Sequence, residues 1–82
     1  MRRLHERLNL AKIVLAELKR QPFGRTALEK RMFRKSGTYA SHAIFEGIFQ
    51  FLVRNGYIQK SGKQHRSPYA ITEKGIKLLE GL

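Results

Sequence analysis

The sequence predicts an α+β fold that is mostly α: a three-helix core, a two-stranded β-hairpin and a short C-terminal helix. Three observations lead there. Apolar residues recur at helical spacing over 4–20, 26–35 and 39–55. After Asn55-Gly56 the helical period gives way to two short alternating runs around a polar loop. Finally, 82 residues of which 41% are hydrophobic suit one small domain over 1–82, with no repeat, low-complexity tract or linker.

The first helix rests on Leu4, Leu8, Ala11, Leu15 and Leu18, which fall on one face with Val14 beside them. Lys19 and Arg20 in its last turn suit the negative end of the helix dipole. Gln21-Pro22-Phe23-Gly24 breaks the pattern, because Pro22 disfavours helix at Gln21; Phe23 is the residue expected to pin this connector to the core. The second helix opens on Thr26-Ala27-Leu28-Glu29, which reads as a capping box, and buries Leu28, Met32 and Phe33 while Arg31, Arg34 and Lys35 point outward. Ser36-Gly37 ends it.

The third helix, capped by Thr38 or Ser36, is the most amphipathic. At about 100° per residue, Ile44, Phe45, Ile48, Phe49, Phe51 and Leu52 fill an arc of roughly 160°, with Val53 at its border. The opposite side carries Tyr39, His42, Ala43, Glu46, Gly47, Gln50 and Arg54. Asn55-Gly56 is a helix stop. Residues 57–60 and 68–71 are the strands, with Pro68 at an edge or first position, and 61–67 is a basic loop between them. Thr72 caps the last helix, where Ile76 and Leu79 share a face, Leu78 and Leu82 assist, and Gly75 argues for a short element.

Charge narrows the choice of partner. Seventeen Lys and Arg against six Glu, with no Asp, give a formal charge of +11 and a pI near 10.8. Such a chain repels itself when folded, and the polyanion that most often offsets this is nucleic acid. The cations are spread along the chain, not gathered on one amphipathic helix, and no apolar run is long enough to span a bilayer, so a membrane is not the expected partner. Zero Cys excludes disulfides and thiolate metal sites. His5, His42 and His65 have no mutual spacing of a metal site, and no paired acid and base can be named. Neither a cofactor nor an enzyme activity is expected.

Two segments carry a family resemblance. Leu52-Val53-Arg54-Asn55-Gly56-Tyr57-Ile58 resembles the LxxxGxI junction by which winged helix-turn-helix domains leave the recognition helix and enter the wing. Tyr69-Ala70-Ile71-Thr72-Glu73-Lys74-Gly75 resembles their Y-x-[IL]-T-x-K-G segment, which opens the last helix, especially in small bacterial and archaeal regulators. Each motif is weak alone; in this order, with a basic loop of wing length between them, they are much stronger, and the match covers nearly the whole chain. The resemblance implies that 26–35 is the positioning helix, 39–55 the recognition helix and 61–67 the wing tip.

Double-stranded DNA is therefore the expected partner, and a cytoplasmic, nucleoid-associated transcriptional regulator, most simply a repressor by occupancy, the expected function. The outward side of the third helix is low at Ala43 and Gly47 and is flanked by Tyr39, Ser41, His42, Glu46 and Gln50, which can donate to, accept from or touch base edges in a major groove about 12 Å wide. Phosphate contacts are expected from Arg25, Lys30, Arg31, Arg34, Lys35 and Thr38, and from Lys63, His65 and Arg66 at the wing tip on the minor groove or backbone. The surplus of apolar bulk on the third helix, with Leu4 and Leu8 early in the first, predicts a homodimer through helix 4–20 and possibly the C-terminal helix around Ile76–Leu82. The competing readings are a sequence-blind architectural DNA-binding protein, a winged-helix protein-interaction module and an RNA reader.

Overall fold

The computed structural model is described over residues 2–36, 42–64 and 66–82, with side chains from Arg7 onward. Its elements run α1 (Arg2–Arg20), α2 (Arg25–Ser36), α3 (His42–Arg54), β1 (Ile58–Lys60), β2 (Tyr69–Ile71) and α4 (Glu73–Gly81). This is the winged-helix order, and the mostly α architecture with one antiparallel hairpin is as the sequence predicts. Residues 37–41, which include the expected cap Thr38 and the start of the third helix, lie outside the described residues, as does His65.

The core forms where the apolar stripes converge. Val14, Leu15 and Leu18 of α1, Leu28 and Met32 of α2, Phe45, Ile48, Phe49 and Leu52 of α3, and Ile58 of β1 are buried together. Phe49 stacks on Phe45 with ring centroids 5.5 Å apart and meets the Tyr69 ring edge-on at 4.7 Å, which fastens α3 to the hairpin. α4 packs against α1, and its Leu78 and Leu79, with Leu82 beyond it, join the core cluster half-buried. Two members of the predicted arc of α3 do not enter the core: Ile44 remains 41% exposed and Phe51 47%. They lie at one edge of that arc, where α1 does not cover them fully.

Local chemistry explains the junctions, with two departures from expectation. α2 begins two residues earlier than its capping-box reading, since the Leu28 N–H donates to the Gly24 carbonyl at 3.0 Å and Thr26 lies inside the first turn. Glu29 does not reach back to a cap; its Oε2 sits 2.8 Å from His42 Nδ1 on α3. The connector also does more than pin the core. Phe23 exchanges two backbone hydrogen bonds with Tyr69, of 3.1 and 2.8 Å, and so adds a single-residue third strand to the hairpin. One residue of pairing has no period, so alternation could not reveal it.

The end of α3 follows the Schellman pattern. Gly56 takes φ 74°, its N–H donates to Val53 O at 3.1 Å, and the Tyr57 N–H donates to Leu52 O at 2.9 Å. From there β1 and β2 pair antiparallel in the register Ile58↔Ile71, Gln59↔Ala70 and Lys60↔Tyr69. The N–H and hydroxyl of Ser61 both donate to Pro68 O at 2.8 Å, closing the base of the loop. Thr72 caps α4 as expected, its hydroxyl accepting from the Gly75 N–H.

Candidate nucleic-acid interface

The side of α3 opposite the core is open. Ala43, Gly47, Gln50 and Arg54 are exposed in succession along it, and a methyl group added at Gly47 would meet no atom within 4 Å. A side chain at Gly47 would meet nothing, so close approach of another helix of the same chain does not require this glycine. The strip is low at its middle and polar toward its ends, a shape that can approach a groove floor closely.

Beside it, the start of α2 and the hairpin enclose a cleft of about 560 Å³ lined by Gly24, Arg25, Thr26, Ala27, Lys60, Arg66, Ser67 and Tyr69. Three cations from three segments meet there. Arg25 is drawn toward α3, where its guanidinium bonds the Glu46 carboxylate and lies 5.0 Å from the centre of the Phe49 ring. Lys60 and Arg66 are exposed, Lys60 at the end of β1 and Arg66 in the returning arm of the loop. The first turn of α2 adds backbone N–H groups to the same wall.

Most of the expected cations stand exposed on the elements the sequence assigns them, and two of them have carboxylate partners from other elements. Lys30, Arg34 and Lys35 are exposed on α2, Gln50 on α3, and Lys63 and Arg66 on the loop. Arg31 differs: it does not point outward. Its guanidinium sits 2.9 Å from Glu17 Oε1 and 4.2 Å from the centre of the Phe23 ring. Glu17 is 5% exposed on the inner face of α1 and needs that charge, with Arg20 at 3.4 Å as a weaker second partner. Glu46 is likewise not a free acceptor for a base. It is half-buried, holding Arg25, with Oε1 3.6 Å from His42 Nε2. His42 thus stands exposed between the Glu29 and Glu46 carboxylates at the head of α3.

Lys60, Thr26, Ser67 and Tyr69 are not among the contact residues that the sequence suggests. Strand alternation gives no signal for Lys60, which falls on the same side of β1 as the buried Ile58 and is exposed because the strand ends there. Thr38, Tyr39, Ser41 and His65 fall outside the described residues. Among the described residues no group of three His, Cys, Asp or Glu could hold a metal ion, and no helix is long and apolar enough to cross a membrane.

A second, apolar groove of about 220 Å³ lies on the other flank of the buried arc of α3. Leu8 and Ala11 of α1 face Gly47, Ile48 and Phe51 of α3 across it, with Arg7 at the rim. Leu8 is 38% exposed, so this groove and the neighbouring Ile44 leave considerable apolar surface in water.

No protein-family profile matches the chain, and no curated protein sequence matches it. Solved structures do. TA0346 of Thermoplasma acidophilum, a proposed transcriptional regulator, superposes with a TM-score of 0.73 at 24% identity over 99% of this chain and 79% of its own. A transcriptional regulator of Clostridium thermocellum, Cth-833, gives 0.71 at 25% identity over 88% of this chain and 74% of its own. F-93 of SSV1 gives 0.69 at 23% identity, over 88% and 79% respectively. The likeness extends over nearly all of the elements described above and establishes the fold.

Proposed function

We propose that this protein is a transcriptional regulator that binds double-stranded DNA, α3 entering the major groove by its Ala43–Gly47–Gln50 strip while the hairpin loop lies on the adjacent minor groove or backbone. The observation that carries this reading is the juxtaposition of an uncovered, low strip on a helix of the right diameter with a cleft lined by Arg25, Lys60 and Arg66. A duplex offers both features at once: base edges for the strip and phosphates for the cleft. The names of two similar structures point the same way. Gln50 is the side chain for base readout, and Lys30, Arg34, Lys35, Lys60, Lys63 and Arg66 serve phosphates. Thr38, Tyr39, Ser41 and His65, which lie outside the described residues, remain proposed DNA contacts on the strength of the sequence. Arg31 is assigned to the fold, and Arg25 and Glu46 to bracing α2 on α3. Repression by occupancy is the simplest outcome.

The apolar groove favours a homodimer, which would pair two half-sites on the duplex. Its interface would use α1, through Leu8, with Ile44 and Phe51 of α3 supplying the most exposed apolar surface, while the leucines of α4 are half-buried against the core.

Selection of bound duplexes from a random pool tests the reading. The expected result is a defined site, symmetric if two copies bind, with affinity falling steeply as salt rises. Equal binding to all duplexes would favour an architectural role, which the charge of +11 also suits. Absence of duplex binding at low salt would overturn the proposal.

A further inference from the structure

The two sequence motifs meet in space, and their meeting point is the joint between α3 and the hairpin. Three consecutive carbonyls leave the end of α3, and each accepts a hydrogen bond from the segment that opens α4. Asn55 O accepts from Lys74 Nζ at 2.7 Å. Gly56 O accepts from the Thr72 hydroxyl at 2.6 Å. Tyr57 O accepts from the Thr72 N–H at 3.0 Å, with the Thr72 hydroxyl at the same distance. The Lys74 ammonium also lies 5.0 Å from the centre of the Tyr57 ring and at the negative end of α3. Gly75 makes the close approach possible, because a Cβ there would collide with the Tyr57 carbonyl oxygen and the Ile71 side chain. The Schellman bonds close this three-residue turn on the α3 side, and a single short segment holds it from the other.

We infer that Thr72 and Lys74 are positioning residues that hold the hairpin at a fixed angle to α3, so that the two reach DNA as one rigid surface. Neither residue touches the strip or the cleft, and the DNA part of this inference rests on the function proposed above. The hydroxyl proton of Thr72 and the ammonium of Lys74 are the groups that matter. Thr72→Ser therefore retains the lock, whereas Thr72→Val and Lys74→Met each remove a donor while keeping bulk.

The absence of cysteine allows a direct test. Nitroxide labels at Gln50→Cys on α3 and Gln64→Cys on the loop, both exposed positions, report the angle as a distance distribution. The expected result is one narrow distribution in the parent, broadening in Thr72→Val and Lys74→Met and restored in Thr72→Ser. A folded Thr72→Val protein with the parent distribution would overturn the inference. Should Thr72→Val fail to fold, an unchanged distribution in Lys74→Met, altered at an exposed side chain, does the same. On a selected duplex, Thr72→Val should weaken binding about three- to tenfold, the range of one lost hydrogen bond. Combining it with Lys63→Ala/Arg66→Ala should cost clearly less than the product of the separate losses, because a wing already out of place has less to lose. Fully multiplicative losses would reject the coupling. Failure of the parent to bind any duplex would reject the proposed function and leave the distance measurement to judge the joint.

Discussion

The cleft between α2 and the hairpin and the groove between α1 and α3 lie on opposite flanks of the same buried arc, and their linings are chemically unlike. The first has Arg25, Lys60 and Arg66 around Thr26, Ser67 and Tyr69. The second has Leu8, Ala11, Ile48 and Phe51, with one cation at its rim. Elsewhere the chain treats charge and bulk conventionally: Glu17 is paired when buried, and Phe45, Phe49 and Leu52 are covered. The two clefts are where that treatment stops. Lys60 and Arg66 gather without a carboxylate in the lining, and Leu8, Ile44 and Phe51 stay wet. Each arrangement is unfavourable for a chain alone and favourable with a partner of complementary chemistry, a polyanion for one and an apolar surface for the other. α3 lines the second directly and borders the first only through Arg25, which its Glu46 and Phe49 hold.

The largest expected effect breaks the cationic side. Lys60→Ala/Lys63→Ala/Arg66→Ala should weaken duplex binding by about 100-fold or more and lower the slope of log affinity against log salt by roughly 0.9 for each phosphate that is no longer neutralised. Thermal stability should change little. An unchanged salt slope, measured by fluorescence anisotropy, would remove the cleft from the interface.

Breaking the apolar side comes next. Leu8→Gln/Phe51→Gln should convert a dimer to a 9.5 kDa monomer in sedimentation. It should also weaken binding to a symmetric site by at least tenfold through lost avidity, with monomer stability altered by only about 0.5 kcal/mol. A parent protein that already sediments as a monomer at micromolar concentration would end the dimer proposal.

A paired comparison on α2 sharpens the contrast between a cation used for the fold and one left for a ligand. Arg31→Ala should cost about 1–3 kcal/mol of stability, because Glu17 is left buried with only its weaker partner. Arg34→Ala should leave the melting temperature in place and reduce affinity several-fold. Denaturant unfolding and binding titrations on both variants check it, and interchanged results would reverse the assignment of Arg31.

The smallest effect falls where strip and groove adjoin. Gly47→Ala meets no steric obstacle and should stabilise α3 by about 0.5–1 kcal/mol. If the strip closes on DNA, the same methyl group should weaken binding. Stabilisation with tighter binding would show that α3 does not approach so closely there.

Much of this architecture was legible because its signals are local. Residues 15–18 and 45–52 announce buried helix faces by spacing, Gly56 announces a left-handed stop and Thr72 a cap, and each acts on backbone within a turn of itself. Thr26-Ala27-Leu28-Glu29 shows the limit of such signals. A sound capping-box pattern loses to the Gly24 start once Glu29 is set beside His42, thirteen positions away. Gly75 likewise reads as a helix weakener until the carbonyl of Tyr57 is seen against it.

By itself, then, the order of residues determined the number, sequence and kind of elements, the faces they bury and the excess of positive charge, since these follow from periods and caps acting over a few residues. Tertiary packing decided which charges stay free. Arg31 and Arg34 are alike in the sequence and three positions apart, yet one meets Glu17 fourteen positions away while the other faces solvent. Such pairings depend on how α1, α2 and α3 lie against one another, because a buried carboxylate takes the nearest guanidinium that the packing supplies, wherever it stands in the chain.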